Sequence, residues 1–105
     1  MGKKDVLEII RQFRAALQTQ GIGVSKIILY GSWARGNAHA DSDIDVVVIS
    51  RQFEGKEYWE RITIISEAIY KIFAPIEAVA MTPQEWESGD RMICAYAKDG
   101  EVLVG

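Results

Sequence analysis

Asp43 and Asp45 stand two apart at the head of the run Asp43-Ile-Asp-Val-Val-Val-Ile-Ser50. In an extended strand such residues point to one face, so the two carboxylates project together while Ile44 and Val46 point the other way, into a core. Their backbones lie roughly 6–7 Å apart. Like charges at about 6 Å repel by roughly 3 kcal/mol at an effective dielectric near about 20. A divalent cation removes that conflict, and hard carboxylate oxygens select Mg²⁺ or Mn²⁺ over softer metals. The plainer reading is a strand-opening turn with solvated acids, because Asp41-Ser42-Asp43 is ordinary turn chemistry.

A second group of residues suits an anion. Tyr30-Gly31-Ser32 ends a β-branched run and begins a turn. Glycine lets backbone N–H groups approach a phosphate closely, and serine adds a hydroxyl donor. A helical turn after it would add the favourable N-terminal end of its dipole. Alone, Gly-Ser is an everyday turn. Arg35 suits phosphate oxygens through charge-assisted hydrogen bonds, or an ion pair with Asp41 or Asp43. Trp33 is expected to pack a short helix against the sheet rather than to stack on a base. His39, the one histidine, is read as solvated, and Ser42 with Asp41 as shaping the turn.

These residues need elements to hold them. Val6, Leu7, Ile10, Phe13 and Leu17 predict a helix over 5–20, with Asp5 as N-cap and Gly21 and Gly23 ending it. Residues 24–30 and 43–50 read as strands, the second apolar enough to be covered on both faces. Residues 33–42 form a connection that opens with a helical turn. Tyr58, Ile62, Ile65, Ile69 and Phe73 place one stripe on a helix over 56–73. Pro75 then opens a strand from Ile76 to Met81. Thr82-Pro83-Gln84-Glu85 combines an N-cap, a proline at the first helical position and an acid at the third, so a short helix should run to Ser88. A further helix spans 90–97, and Glu101 to Val104 forms an edge strand that could pair with another chain. Tyr58, Trp59, Tyr70 and Trp86 are expected in the core or at an interface. Cys94 is expected as a small buried apolar residue. The order implies an α/β (α+β) fold, a small mixed sheet with helices packed on it.

Composition bounds the rest. The chain has 105 residues, 49% hydrophobic and 26% charged, which fits a single domain over 1–105. A net charge of −3 argues against holding nucleic acid by phosphate neutralisation. Cys94 is the single cysteine, so neither a disulfide framework nor a cysteine zinc site can form within one chain. A cytoplasmic setting is expected, with no signal peptide and no membrane span.

Taken together, Gly31-Ser-Trp-Ala-Arg-Gly36 and Ser42-Asp-Ile-Asp45 closely resemble the signature of the DNA-polymerase-β-type nucleotidyltransferase superfamily. More narrowly, the stretch is similar to the minimal nucleotidyltransferases, which include antitoxins paired with small helical (HEPN-type) proteins and relatives of aminoglycoside nucleotidyltransferases. The motif spans residues 31 to 45, and the rest of the chain agrees in length and element order. The resemblance implies that Gly31 and Ser32 hold the β- and γ-phosphates of a nucleoside triphosphate, with ATP the expected substrate. It implies that Asp43 and Asp45 bind two Mg²⁺ ions, and that a third carboxylate on a later strand activates the attacking hydroxyl. Glu77, in Pro75-Ile-Glu-Ala-Val79, matches that position, although the family usually has Asp there. An acid sharing a strand face with Val79 and Met81 also needs a partner on its own account. Larger relatives carry a helical domain after this module. Here the resemblance implies a partner instead, a HEPN-type helical protein that supplies both the missing half and the acceptor hydroxyl. Three functions stay in view: an enzyme of that kind, a toxin-neutralising binding module without catalysis, and an aminoglycoside nucleotidyltransferase. Homo-oligomerisation is open.

Overall fold

β-branched and leucine residues over Lys26–Tyr30 (β1), Ile44–Ile49 (β2) and Ile76–Met81 (β3) build most of the sheet, and Glu101–Val104 (β4) completes it. A computed structural model describes residues 1–104, and Gly105 lies outside the described residues. The strand order is β3-β2-β1-β4. β1 runs antiparallel to both β2 and β4, while β2 and β3 are parallel. A parallel pair needs a crossover, and the helix Tyr58–Ile72 supplies it. In chain order the helices are Lys3–Gln18 (α1), Ser32–Arg35 (α2), Tyr58–Ile72 (α3), Pro83–Ser88 (α4) and Met92–Ala97 (α5).

The alternation of each strand separates two unequal cores. Ile27, Leu29, Ile44, Val46, Val48 and Ile76 face α1 and α3, where Val6, Ile10, Phe13, Leu17, Ile65 and Ala68 close the larger one. Ile28, Val47, Ile49 and Met81 face the other way, under Cys94 and Ala97 of α5 and the half-buried Trp86. β2 is therefore covered on both faces from Val46 to Ile49, as the apolar run after Asp45 requires. Cys94 is a buried free thiol, as expected.

Several boundaries differ from the sequence expectation. Asp5 is not the N-cap of α1. The helix starts two residues earlier, with Gly2 as N-cap, and the Asp5 carboxylate turns back to accept the Gly2 N–H at 2.9 Å. An acid at the third helical position closes the first turn as well as an acidic cap does. α1 ends at Gln18 rather than 20, because the Thr19 hydroxyl donates to Ala16 O at 2.6 Å and the chain then turns at Gly21, φ +84°. Tyr58 and Phe73 do not belong to the buried stripe of α3. They flank its two ends and are 61% and 86% exposed. Phe73 caps the helix in the left-handed region, φ 52°, which swings its ring outward against Tyr70. Of the two places expected for Tyr58, Trp59 and Tyr70, core or interface, their exposure excludes the core. α4 begins as predicted, with the Thr82 hydroxyl accepting from Glu85 N and the Glu85 carboxylate accepting from Thr82 N.

Candidate functional site

The sheet brings together what the sequence separates. Tyr30, the last residue of β1, lies opposite Asp45 in the antiparallel ladder. Asp45 in turn lies beside Glu77 in the parallel one. The three therefore line up across three strands on the face that also carries Val47 and Val79. Asp43 stands one residue before β2 begins and is exposed, while Asp45 is half-buried and Glu77 exposed.

Gly31 follows Tyr30 with φ +73°, a conformation that glycine adopts without cost. A Cβ there would land on the Asp45 carboxylate, 3.2 Å from its Cγ. Glycine is thus fixed twice over, by backbone angle and by the close approach of loop to acid. The chain then enters α2, where Ala34 N and Arg35 N both donate to Gly31 O at 3.1 Å. The N–H groups of Ser32 and Trp33, which precede those two, have no partner within the helix. Trp33 is buried and donates from its ring nitrogen to Ser42 O at 3.1 Å. That bond fixes α2 against the turn leading to β2, the packing role expected of it. Ser42 shapes the turn as anticipated, its hydroxyl accepting from His39 N at 2.8 Å.

The electrostatics are one-sided. Burial raises the Asp45 pKa, and the neighbouring charges of Glu77 and then Asp43 raise it further, while Arg35 works in the opposite sense. The Tyr30 phenol is pushed up to about 12, first by burial and then by the charges of Asp45 and Glu77. It remains an O–H donor at neutral pH. Arg35 forms no ion pair with Asp41 or Asp43 among the described residues, and it is exposed at the end of α2, beside a cleft of about 280 Å³. No carboxylate oxygen of Asp43, Asp45 or Glu77 accepts a hydrogen bond from another described residue, so these oxygens are available.

This acceptor-only set fits a hard divalent cation. Among the described residues, no three His, Cys, Asp or Glu side chains stand close enough to cage an ion by themselves. Mg²⁺ does not ask for such a cage. It is usually held by one or two carboxylates together with substrate phosphates and water, and the Asp45 carboxylate sits against the turn at Gly31, with Asp43 two residues before it in the chain. The sequence did not single out Tyr30 as a site residue. Its signal was its place immediately before Gly31, which the β1–β2 register turns into a neighbour of Asp45.

Comparison with known proteins gives the family. Residues 10–88 match the nucleotidyltransferase domain family, and the chain belongs to that family. A protein of Methanocaldococcus jannaschii named "putative protein adenylyltransferase" is 33% identical over 49 residues, 46% of this chain and 50% of that protein. The chain thus matches about half the length of this curated relative. A solved structure, described as a putative nucleotidyltransferase from Sulfolobus solfataricus, superposes with a TM-score of 0.72 over 95% of this chain and 80% of its own, at 16% identity. At that identity the likeness speaks for the fold.

Proposed function

We propose that the protein transfers AMP from ATP, with Mg²⁺, to a hydroxyl on a partner protein. The observation that carries this reading is the Gly31 loop lying against Asp45, with Glu77 in register beside it. The name of the archaeal relative supports a protein as acceptor. The exposed aromatic side chains Tyr58, Trp59 and Tyr70 support a protein partner too. An antitoxin role toward a HEPN-type helical protein follows from the resemblance of the motif. No helix among the described residues is long and apolar enough to cross a membrane, and we place the reaction in the cytoplasm, where ATP is at hand.

In this scheme Ser32 and the free N–H groups opening α2 hold the β- and γ-phosphates, and Arg35 stands by the same oxygens. Asp43 and Asp45 hold the metal, with Glu77 reaching it from the next strand. Bound Mg²⁺ supplies charge neutralisation for an in-line displacement. The acceptor oxygen attacks the α-phosphorus and forms the new O–P bond. The bond from that phosphorus to the bridging oxygen breaks, and its electron pair leaves with pyrophosphate. Glu77 receives the hydroxyl proton as general base.

The test is a label-transfer assay. The protein is co-purified with the product of the adjacent gene and given Mg²⁺ and ATP labelled on the α-phosphate. Label is expected on the partner, with a loss of at least about a hundredfold for Asp45→Asn, the scale of a removed electrostatic or acid–base contribution. A stable complex that never takes label would establish the toxin-neutralising binding module. The longer Glu77, where the family usually has Asp, would then be the first residue to examine.

A further inference from the structure

A cleft of about 460 Å³ lies not over the carboxylates but along the outer edge of β3. Ala78, Val79 and Ala80 form its floor, with Ile62 and Ile65 of α3 on one wall and Arg91 on the other. β3 ends the sheet, so one side of its backbone has no neighbouring strand. The ladder shows which groups are left over. Ile44 N donates to Pro75 O at 2.8 Å and Ser50 N to Met81 O at 3.0 Å, so the odd-numbered residues of β3 bond inward to β2. The even-numbered ones point outward. Arg61 covers the Ala80 carbonyl at 3.4 Å. The N–H and C=O of Ala78 and the N–H of Ala80 remain, a short template for one added strand.

The charge around this edge is opposite to that of the chain. Lys56, Arg61 and Arg91 line the cleft with one acid, Glu85, and Arg61 pairs with Glu85 at 2.7 Å. Lys56 and Arg91 have no ion-pair partner among the described residues. The cleft is thus cationic on a protein of net charge −3. Its position matters as much as its charge. Glu77 is the residue next along the same strand, on the face that carries Val79. A residue of an added strand opposite Glu77 has its Cβ roughly 5 Å away on that face.

We infer that the acceptor segment is an extended, acidic stretch of the partner protein that adds to β3 as a fifth strand. It presents its hydroxyl to Glu77 from the neighbouring strand position, while its flanking acids meet Lys56 and Arg91. This rests on the transfer reaction proposed above, and it adds the way the substrate is held. Asp45 lies one strand spacing, about 4.8 Å, beyond Glu77. A tyrosine crosses that span more readily than a serine, so the probe carries tyrosine.

The experiment uses the full chain and four synthetic seven-residue peptides with a central tyrosine. One has glutamates flanking it and one has lysines at the same places. One has the glutamates and N-methylated backbone amides on the pairing edge. One has the glutamates and D-proline beside the tyrosine, which forbids a strand. Binding is followed by fluorescence anisotropy, and Mg·ATP binding is measured separately by calorimetry. The glutamate peptide is expected to bind at least about tenfold tighter than each of the other three. Lys56→Glu together with Arg91→Glu should remove that preference or invert it while Mg·ATP affinity stays unchanged. Equal binding of all four peptides, or a preference indifferent to the charge reversal, overturns the inference. Should the chain alone sediment as a dimer that the double reversal dissociates, the edge belongs to a second copy and the inference is likewise overturned. Loss of Mg·ATP binding with peptide selectivity intact would count against the transfer reaction and leave strand addition standing.

Discussion

At the scale of the residue, the site is a place where the fold accepts electrostatic cost. Asp45 is half-buried, next to Glu77 and near Asp43, and all three effects favour its neutral form. A carboxylate whose folded pKa lies above the unfolded value, about 3.9 for Asp, binds more protons folded than unfolded between the two values. Stability contributed by this group is therefore largest at low pH and is lost as pH rises through the folded pKa. In metal-free protein Asp45→Asn should raise the melting temperature at pH 7, by about 3 °C once solvent screening is allowed for. The advantage over wild type should shrink as pH falls through the carboxylate range. Paired thermal melts at several pH values check this. An advantage that does not depend on pH would mean that Asp45 titrates normally. The same substitution is expected to abolish transfer, so stability and function would move in opposite directions at one residue.

At the scale of the element, one arginine ties three segments together. Arg61 of α3 donates to Lys56 O at 3.1 Å, to Phe53 O at 3.0 Å and to Glu85 at 2.7 Å, and its guanidinium lies 5.9 Å from the centre of the Phe53 ring. Burial alone would raise the Glu85 pKa, but the Arg61 bond and the Thr82 amide bring it below its ordinary value. Arg61→Ala should cost about 2 kcal/mol by urea denaturation, short of a fully buried pair because Glu85 still reaches water. A loss under about 0.5 kcal/mol would mean that the pair behaves as a surface one. Nothing in the sequence announced this contact, because Arg61 and Glu85 lie on different helices. What the sequence did carry was local. The Asp43-x-Asp45 strand head, the Gly31-Ser32 turn, the bounds of β3 and the cap at Thr82 could each be read from neighbouring residues. The exposure of Tyr58 and Phe73 could not, because helical spacing alone does not say where α3 begins and ends. The pairing of Tyr30 with Asp45 and of Asp45 with Glu77 depends on strand order, and in this sheet the order comes from α3 crossing over one face.

At the scale of the molecule, the two faces of the sheet are covered unequally. α1 and α3 close the larger core, whereas the opposite face rests on the short α5 and on Trp86. The family match, residues 10–88, holds every candidate site residue but ends before α5 and β4. Asp45 and Glu77 project on the thinly covered face, and Gly31 meets Asp45 at its rim. β4 is joined to this face through Gly100, where a Cβ would come within 2.5 Å of Leu29 O, so the turn from α5 into β4 is packed directly on β1. Regions with fewer buried apolar contacts open at lower free energy. In native-state hydrogen exchange the amides of α5 and β4 should therefore exchange as one unit, at least about tenfold faster than those of Ile28, Val46 and Val47. Adding Mg·ATP should slow exchange at Ser32 through Arg35 and at Asp45, since a ligand that binds the folded state stabilises what it touches. It should leave α5 and β4 little changed, because no site residue lies on them. Equal opening free energies across the sheet would instead make the domain a single cooperative unit. Added protection spreading to α5 would mean that nucleotide binding tightens the whole thin face, so that α5 acts as part of the site rather than only as its cover.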